Sequence, residues 1–118
     1  MKNYKVGDRV WAKEHYNIPK GFYIIRNFTN NGFFIENENG ISGSVFILGI
    51  HETADSMFEE LGYEKSTNSA YAKYHKHNIK ITFVNDVNGK MVSGVPAIIT
   101  PQLHRAIHQK LIELGWIE

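Results

Sequence analysis

The run Thr100 to Trp116, TPQLHRAIHQKLIELGW, constrains this chain more than any other stretch. Leu103, Ala106, Ile107, Leu111 and Leu114 recur at three- and four-residue steps, which predicts one apolar stripe along a helix. Thr100 suits the N-cap, and Pro101 suits the first helical position, where a missing N–H costs nothing. Gly115 can take the left-handed conformation that closes a helix, and Trp116 then folds back onto the last turn. A stripe this apolar has to lie on another element, and the strands upstream supply a sheet.

The first half reads as short strands and tight turns. Val10 and Ala12 alternate with Arg9 and Trp11, so a strand with two faces follows the turn at Val6-Gly7-Asp8. Residues 15–21, with Asn17, Pro19 and Gly21, predict a loop. Phe22 to Phe28 is a second strand, Asn30-Asn31-Gly32 a hairpin turn, and Phe33 to Glu36 the return. Asn37-Glu38-Asn39-Gly40 predicts another turn, and Ser42 to Leu48 a fourth strand. Such a meander curls naturally into a small barrel.

These segments, Val6-Gly7-Asp8-Arg9-Val10, Lys20-Gly21-Phe22-Tyr23-Ile24-Ile25, Gly32-Phe33-Phe34-Ile35 and Glu38-Asn39-Gly40, resemble the Src-homology-3-like small barrels. Such barrels occur in many short proteins of Gram-positive phages and mobile elements. The resemblance rests on turn and core positions, so it speaks to fold more than to function. Nine of the fifteen aromatic residues fall in this half, more than a surface strip requires, so most are expected to fill the barrel. Trp11, Tyr16 and Tyr23 are candidates for an outward binding strip, with Tyr16 foremost because it sits in a loop.

The second half reads as helix, antiparallel strands, helix. Asp55 to Tyr63 predicts a short helix, capped by Thr53 or Asp55 and closed by Gly62. Leu61-Gly62-Tyr63 repeats the ending Leu114-Gly115-Trp116, a terminating glycine followed by an aromatic hook. Residues 65–69 predict a polar turn, Ala70 to Lys76 and Ile79 to Val84 strands, and Asn88-Gly89 a hairpin. Lys90 to Val92 returns, and Val95 to Ile99 predicts an edge strand beginning near Pro96. Both helices are expected on one face of this sheet. This half also resembles short phage proteins, in its Phe-Glu-Glu-Leu-Gly-Tyr start, its tyrosine-rich strands and its Ile-Glu-Leu-Gly-Trp end. The fold class expected is therefore α+β, a small β-barrel over residues 1–50 joined at Gly49-Ile50-His51-Glu52 to an α-β-β-β-α module over 51–118.

Composition removes several function classes. The net charge of +1 lacks the basic excess of a dedicated DNA-binding protein. With no cysteine there is neither a disulfide nor a thiol nucleophile nor a cysteine-ligated zinc. The start, MKNYKVGD, carries no apolar run of the signal-peptide kind, and no stretch approaches the roughly 18 apolar residues of a membrane span. A cytoplasmic protein is the expectation.

Two constellations carry polar chemistry. His104 and His108 stand four apart on the tail helix, a spacing that lets two imidazoles share one metal ion. Arg105 occupies the place where the zinc-protease motif has glutamate, and its charge opposes a cation. His75 and His77 could complete a four-histidine set. The plainer reading makes His104 and His108 solvent-facing residues beside the stripe. The second constellation is Tyr71, Lys73, Tyr74, His75, Lys76, His77 and Lys80. Tyr71, Lys73, His75 and His77 alternate onto one sheet face, setting cations beside stackable rings, as single-stranded nucleic acid requires. The plainer reading has these lysines keeping an open strand soluble and unpaired.

No glycine-rich phosphate loop, nucleophile elbow or paired general acid and base stands out. The expectation is a non-enzymatic protein without a cofactor. Size, absent chemistry and the phage resemblance point to a binding protein aimed at a host protein or a protein–nucleic-acid complex. Inhibition of a defence nuclease such as a CRISPR effector is one concrete form, inside a bacterial host. The alternatives are direct nucleic-acid binding through residues 71–80 and a histidine-metal protein. The expected contact residues are Tyr16, Tyr71, Lys73, His75, Lys76, His77 and Lys80.

Overall fold

Alternation of large apolar and polar residues builds the first sheet. Its strands are β1 (Arg9–Ala12), β2 (Gly21–Phe28), β3 (Gly32–Glu36), β4 (Ser42–Phe46) and β5 (Ile50–Glu52). A computed structural model describes residues 3–16, 18–66 and 71–117. The chain is α+β, with two antiparallel sheets and two helices, and it divides into two compact units, Met1–Thr53 and Ala54–Glu118.

In the first unit the strand order is β4-β3-β2-β1-β5. Val10, Ala12, Ile18, Tyr23, Ile25, Phe33, Ile35, Val45 and Ile50 form its core. The outer strands, β4 and β5, do not pair with each other, so the sheet is not a closed barrel. The hairpin at Asn30-Asn31-Gly32 forms, with the Thr29 N–H donating to the Gly32 carbonyl at 3.0 Å. A Cβ on Gly32 would sit 2.0 Å from the Val45 carbonyl oxygen, so only glycine lets β3 and β4 approach this closely. At the next turn the Asn37 side-chain oxygen accepts the N–H groups of Asn39 and Ile41, at 3.0 and 2.9 Å.

Three expectations need correction here. The fourth strand stops at Phe46, and Ile47–Gly49 wind into one 3₁₀ turn. Residues Ile50 to Glu52 are not a linker but pair with β1, Ile50 opposite Ala12 and Glu52 opposite Val10. Trp11 and Tyr23 do not form an outward strip, being only 8% and 2% exposed. Tyr23 lies in the core and donates its hydroxyl to the Pro19 carbonyl at 2.6 Å. Trp11 meets the Phe22 ring edge-on at 4.9 Å, and the Arg9 guanidinium covers Phe22 at 3.9 Å.

The second unit comprises α1 (Ala54–Glu60), β6 (Glu64–Lys65), β7 (Ala72–Lys76), β8 (Ile79–Asp86), β9 (Gly89–Ser93) and α2 (Pro101–Glu113), with sheet order β6-β7-β8-β9. Tyr74, Ile81 and Phe83 point to one face of the sheet, where Ala54 and Phe58 of α1 and Leu103 and Ala106 of α2 bury against them. Phe58 and Tyr74 stack at 3.9 Å. Both helices therefore cover the same face, and their apolar stripes find the sheet they need.

Both helices also end the same way. At α1 the Tyr63 N–H reaches the Phe58 carbonyl at 3.0 Å, and at α2 the Trp116 N–H reaches that of Leu111 at 3.0 Å. Gly62 and Gly115 supply the left-handed residue, with φ of 88° and 75°. At the start of α2 the Thr100 hydroxyl accepts the Leu103 N–H at 3.1 Å. The hairpin between β8 and β9 closes at Asp86 and Gly89.

The edge strand expected over Val95 to Ile99 does not form. Gly94 turns away at φ 79°, and a Cβ there would lie 1.8 Å from the Lys80 carbonyl oxygen. The chain leaves the sheet at this point, and Val95 packs against the core. The turn expected over 65–69 begins instead with strand residues Glu64–Lys65, and its remainder, with Ala70, lies partly outside the described residues.

Candidate contact surfaces

Tyr16 is 93% exposed, at the tip of the loop between β1 and β2. His15 and Ile18 exchange backbone hydrogen bonds at 2.9 and 2.6 Å, which pinches the loop and turns Tyr16 outward. Its φ of 39° lies in the left-handed region, costly for a residue with a Cβ. The Tyr16 ring meets the His15 ring at 4.4 Å, and His15 meets Phe46 of β4 at 6.3 Å. Phe46 is 60% exposed, and Ile47 and Leu48 beside it are exposed as well. Phe46 and Leu48 carried no expectation. The signal for Phe46 was the alternation along β4, which puts Val45 inward and therefore Phe46 outward.

The face of the second sheet away from the helices carries the polar constellation, but with fewer members than expected. Lys73 pairs across the sheet with Thr82, and His75 with Lys80 and Glu64. His75 Nε2 lies 3.9 Å from a Glu64 carboxylate oxygen, so an acid sits within the basic group. Tyr71 precedes β7 and is partly exposed. His77 falls in the turn, at φ 53°, rather than on the strand face. Lys76 is on the opposite side. Its Nζ donates to the Leu61 carbonyl at 2.8 Å and lies 5.7 Å from the Tyr63 ring, so it holds the end of α1.

A polar cluster not anticipated from the sequence joins the two helices to the sheet. The Tyr74 hydroxyl donates to Asp55 Oδ1, and Lys65 Nζ donates to Asp55 Oδ2 at 3.1 Å. Glu113 Oε2 accepts the Ala54 backbone N–H at 2.6 Å and the Gln109 amide at 3.0 Å. Burial raises the Glu113 carboxyl above its ordinary value, more than its hydrogen bonds lower it. Burial pushes Asp55 the same way, but hydrogen bonds from Tyr74 and Lys65 outweigh it and leave this carboxyl below its ordinary value. Burial, reinforced by Asp55, pushes the Tyr74 hydroxyl far up. The residues missed here lie far apart in sequence, and only the fold brings them together.

His104 and His108 are exposed on α2, their rings 6.3 Å apart and tilted by 19°. They do not join His75, which sits on the sheet face turned away from α2. Among the described residues no group of three or more histidines and carboxylates is placed to share a metal ion. Nor, among those residues, is any helix long and apolar enough to cross a membrane. No protein-family model matches the chain, and neither curated proteins nor solved structures give a match.

Proposed function

We propose that this chain is a binding protein without a catalytic step, that its partner is another protein, and that Tyr16 is the centre of the contact. The observation that carries this is the Tyr16 ring, 93% exposed and held outward at a backbone angle unfavourable to tyrosine. Exposed aromatic rings beside apolar side chains are the usual anchors of protein contacts, and Phe46 and Leu48 extend the surface. The titratable cluster supports a non-catalytic reading, because Asp55, Tyr74 and Glu113 spend their polar atoms on one another and on a helix start.

Strand order β4-β3-β2-β1-β5, with a 3₁₀ turn before β5, supports reading the first unit as a Src-homology-3-like meander whose ends stay open. With the phage resemblance, this leads us to a host protein or ribonucleoprotein in a bacterial cytoplasm as the target, a defence nuclease being one form. Affinity capture from host lysate tests the reading with Tyr16→Gly as the control. Glycine tolerates φ 39°, so the variant folds. A protein held by the wild type and lost by Tyr16→Gly is the expected result. Equal capture by both would remove Tyr16 from the contact.

A second reading is favoured by the cross-strand placement of Lys73, His75 and Lys80 on the sheet face away from the helices. There the partner is single-stranded nucleic acid. Lys73→Glu with Lys80→Glu then abolishes salt-dependent binding to an oligonucleotide. Lys76 is excluded from the pair because it secures α1.

A further inference from the structure

We propose that His104 and His108 form a two-histidine clamp for a transition-metal ion that prefers imidazole, such as Zn²⁺. Residues four apart on a helix lie one turn above each other on the same face. The two rings are 6.3 Å apart at their centres and nearly parallel, at 19°. Two imidazoles bound tetrahedrally to one ion place their centres about 5 Å apart, given zinc–nitrogen distances of about 2.0 Å. A small rotation about the side-chain bonds of either ring closes that gap. Both side chains are exposed, so the rings are able to turn.

The setting also suits an ion that keeps part of its coordination open. The rings line a shallow depression with Ile99, Thr100, Pro101 and Arg105. Among the described residues no carboxylate lines it, so its strong donors are the two imidazole nitrogens, which favour zinc, copper or nickel over magnesium or calcium. Arg105 lines the same depression and its guanidinium opposes the ion, which holds the affinity to that of a modest two-donor site. With two protein donors the ion retains positions for water or for a ligand brought by a partner. The site thus differs from a structural zinc centre, which the protein closes with four donors.

Calorimetric titration of the full chain, purified without a histidine tag, with Zn²⁺ alone decides the matter. One ion per chain is expected, with a Kd in the micromolar range. His104→Ala and His108→Ala are each expected to weaken it at least tenfold, and His75→Ala to leave it unchanged. The wild type should also melt at rising temperature as zinc is added, and lose that rise on chelation. Both alanine changes fall at exposed helix positions and favour the helix, so loss of binding is not loss of fold. No saturable binding, or binding that survives in both variants, would overturn the proposal. Binding lost in His75→Ala would move the metal to the sheet and overturn it as well.

Discussion

Glu113, in the last turn of α2, accepts the backbone N–H of Ala54, the first residue of α1, at 2.6 Å. A carboxylate at a helix start satisfies an otherwise orphaned donor and opposes the positive end of the helix dipole. Here the carboxylate comes from 59 residues away, so the start of one helix depends on the end of the other. Glu113→Ala is expected to destabilise the second unit by about 1–2 kcal/mol, the usual loss with a cap. Glu113→Gln keeps an acceptor and should cost less. Urea unfolding of the full chain, followed by tryptophan fluorescence through Trp116, measures both.

The same cluster fixes how stability responds to acid. Glu113 has its folded value above 4.5, so the folded state holds a proton that the unfolded state has released. Its contribution falls as pH climbs through the window above 4.5. Asp55 has its folded value below 3.8, so its contribution is present above that pH and is lost as pH drops further. Melting temperatures taken across this range should show the decline above pH 4.5 flatten in Glu113→Gln.

His51, on β5, behaves differently. Burial and then the charge of Lys13 disfavour its protonation, setting its folded value below 6.5. The unfolded state binds the proton first, so the first unit loses stability as pH falls through the window below 6.5. His51→Gln should remove that dependence, as read by near-ultraviolet circular dichroism of the tryptophan in β1.

Lys73 and Lys76 are three residues apart and should give opposite phenotypes. Lys76→Ala removes a bond to the Leu61 carbonyl at the end of α1 and is expected to cost about 1–2 kcal/mol. Lys73→Ala, on the sheet face away from the helices, is expected to stay within about 0.5 kcal/mol. Denaturant midpoints of the two variants settle the contrast.

Gly94→Ala should be among the most damaging single changes. It combines φ 79° with a Cβ position 1.8 Å from the Lys80 carbonyl oxygen, and backbone cannot move aside as a flexible side chain would. A loss of about 3 kcal/mol is expected, at the upper end for forced overpacking. His77→Gly is the opposite case, because the turn at φ 53° suits glycine better than histidine. That variant should be as stable as the wild type or more so.

What could be read from the sequence was local. Thr100, Pro101 and Gly115 mark α2 through bonds that close within four or five residues, and Asn88-Gly89 marks its hairpin for the same reason. Strands β5 and β6 were missed because three and two residues carry no periodicity of their own. They exist only by pairing with β1 and β7. Val95 to Ile99 has the composition of a strand but no partner, since Gly94 diverts it. The side taken by Lys76 was legible in principle, because it shares the parity of Tyr74 along β7. The bond between Glu113 and Ala54 was not, because no spacing rule connects residues so remote. The exposure of Tyr16 followed from its loop, while the contact of the His15 ring with Phe46 needed the sheet to fold first.

Strand β7 reads Ala-Lys-Tyr-His-Lys, and only its middle residue is deeply buried. Sliding the strand by a single position would thrust His75 or Lys73 among Phe58, Ile81 and Phe83, and would strip Asp55 of its phenol partner. The chain is thus intolerant of an added or deleted residue between 72 and 76. At Val87-Asn88, where the loop projects into solvent, the same lengthening by one residue ought to pass almost unnoticed.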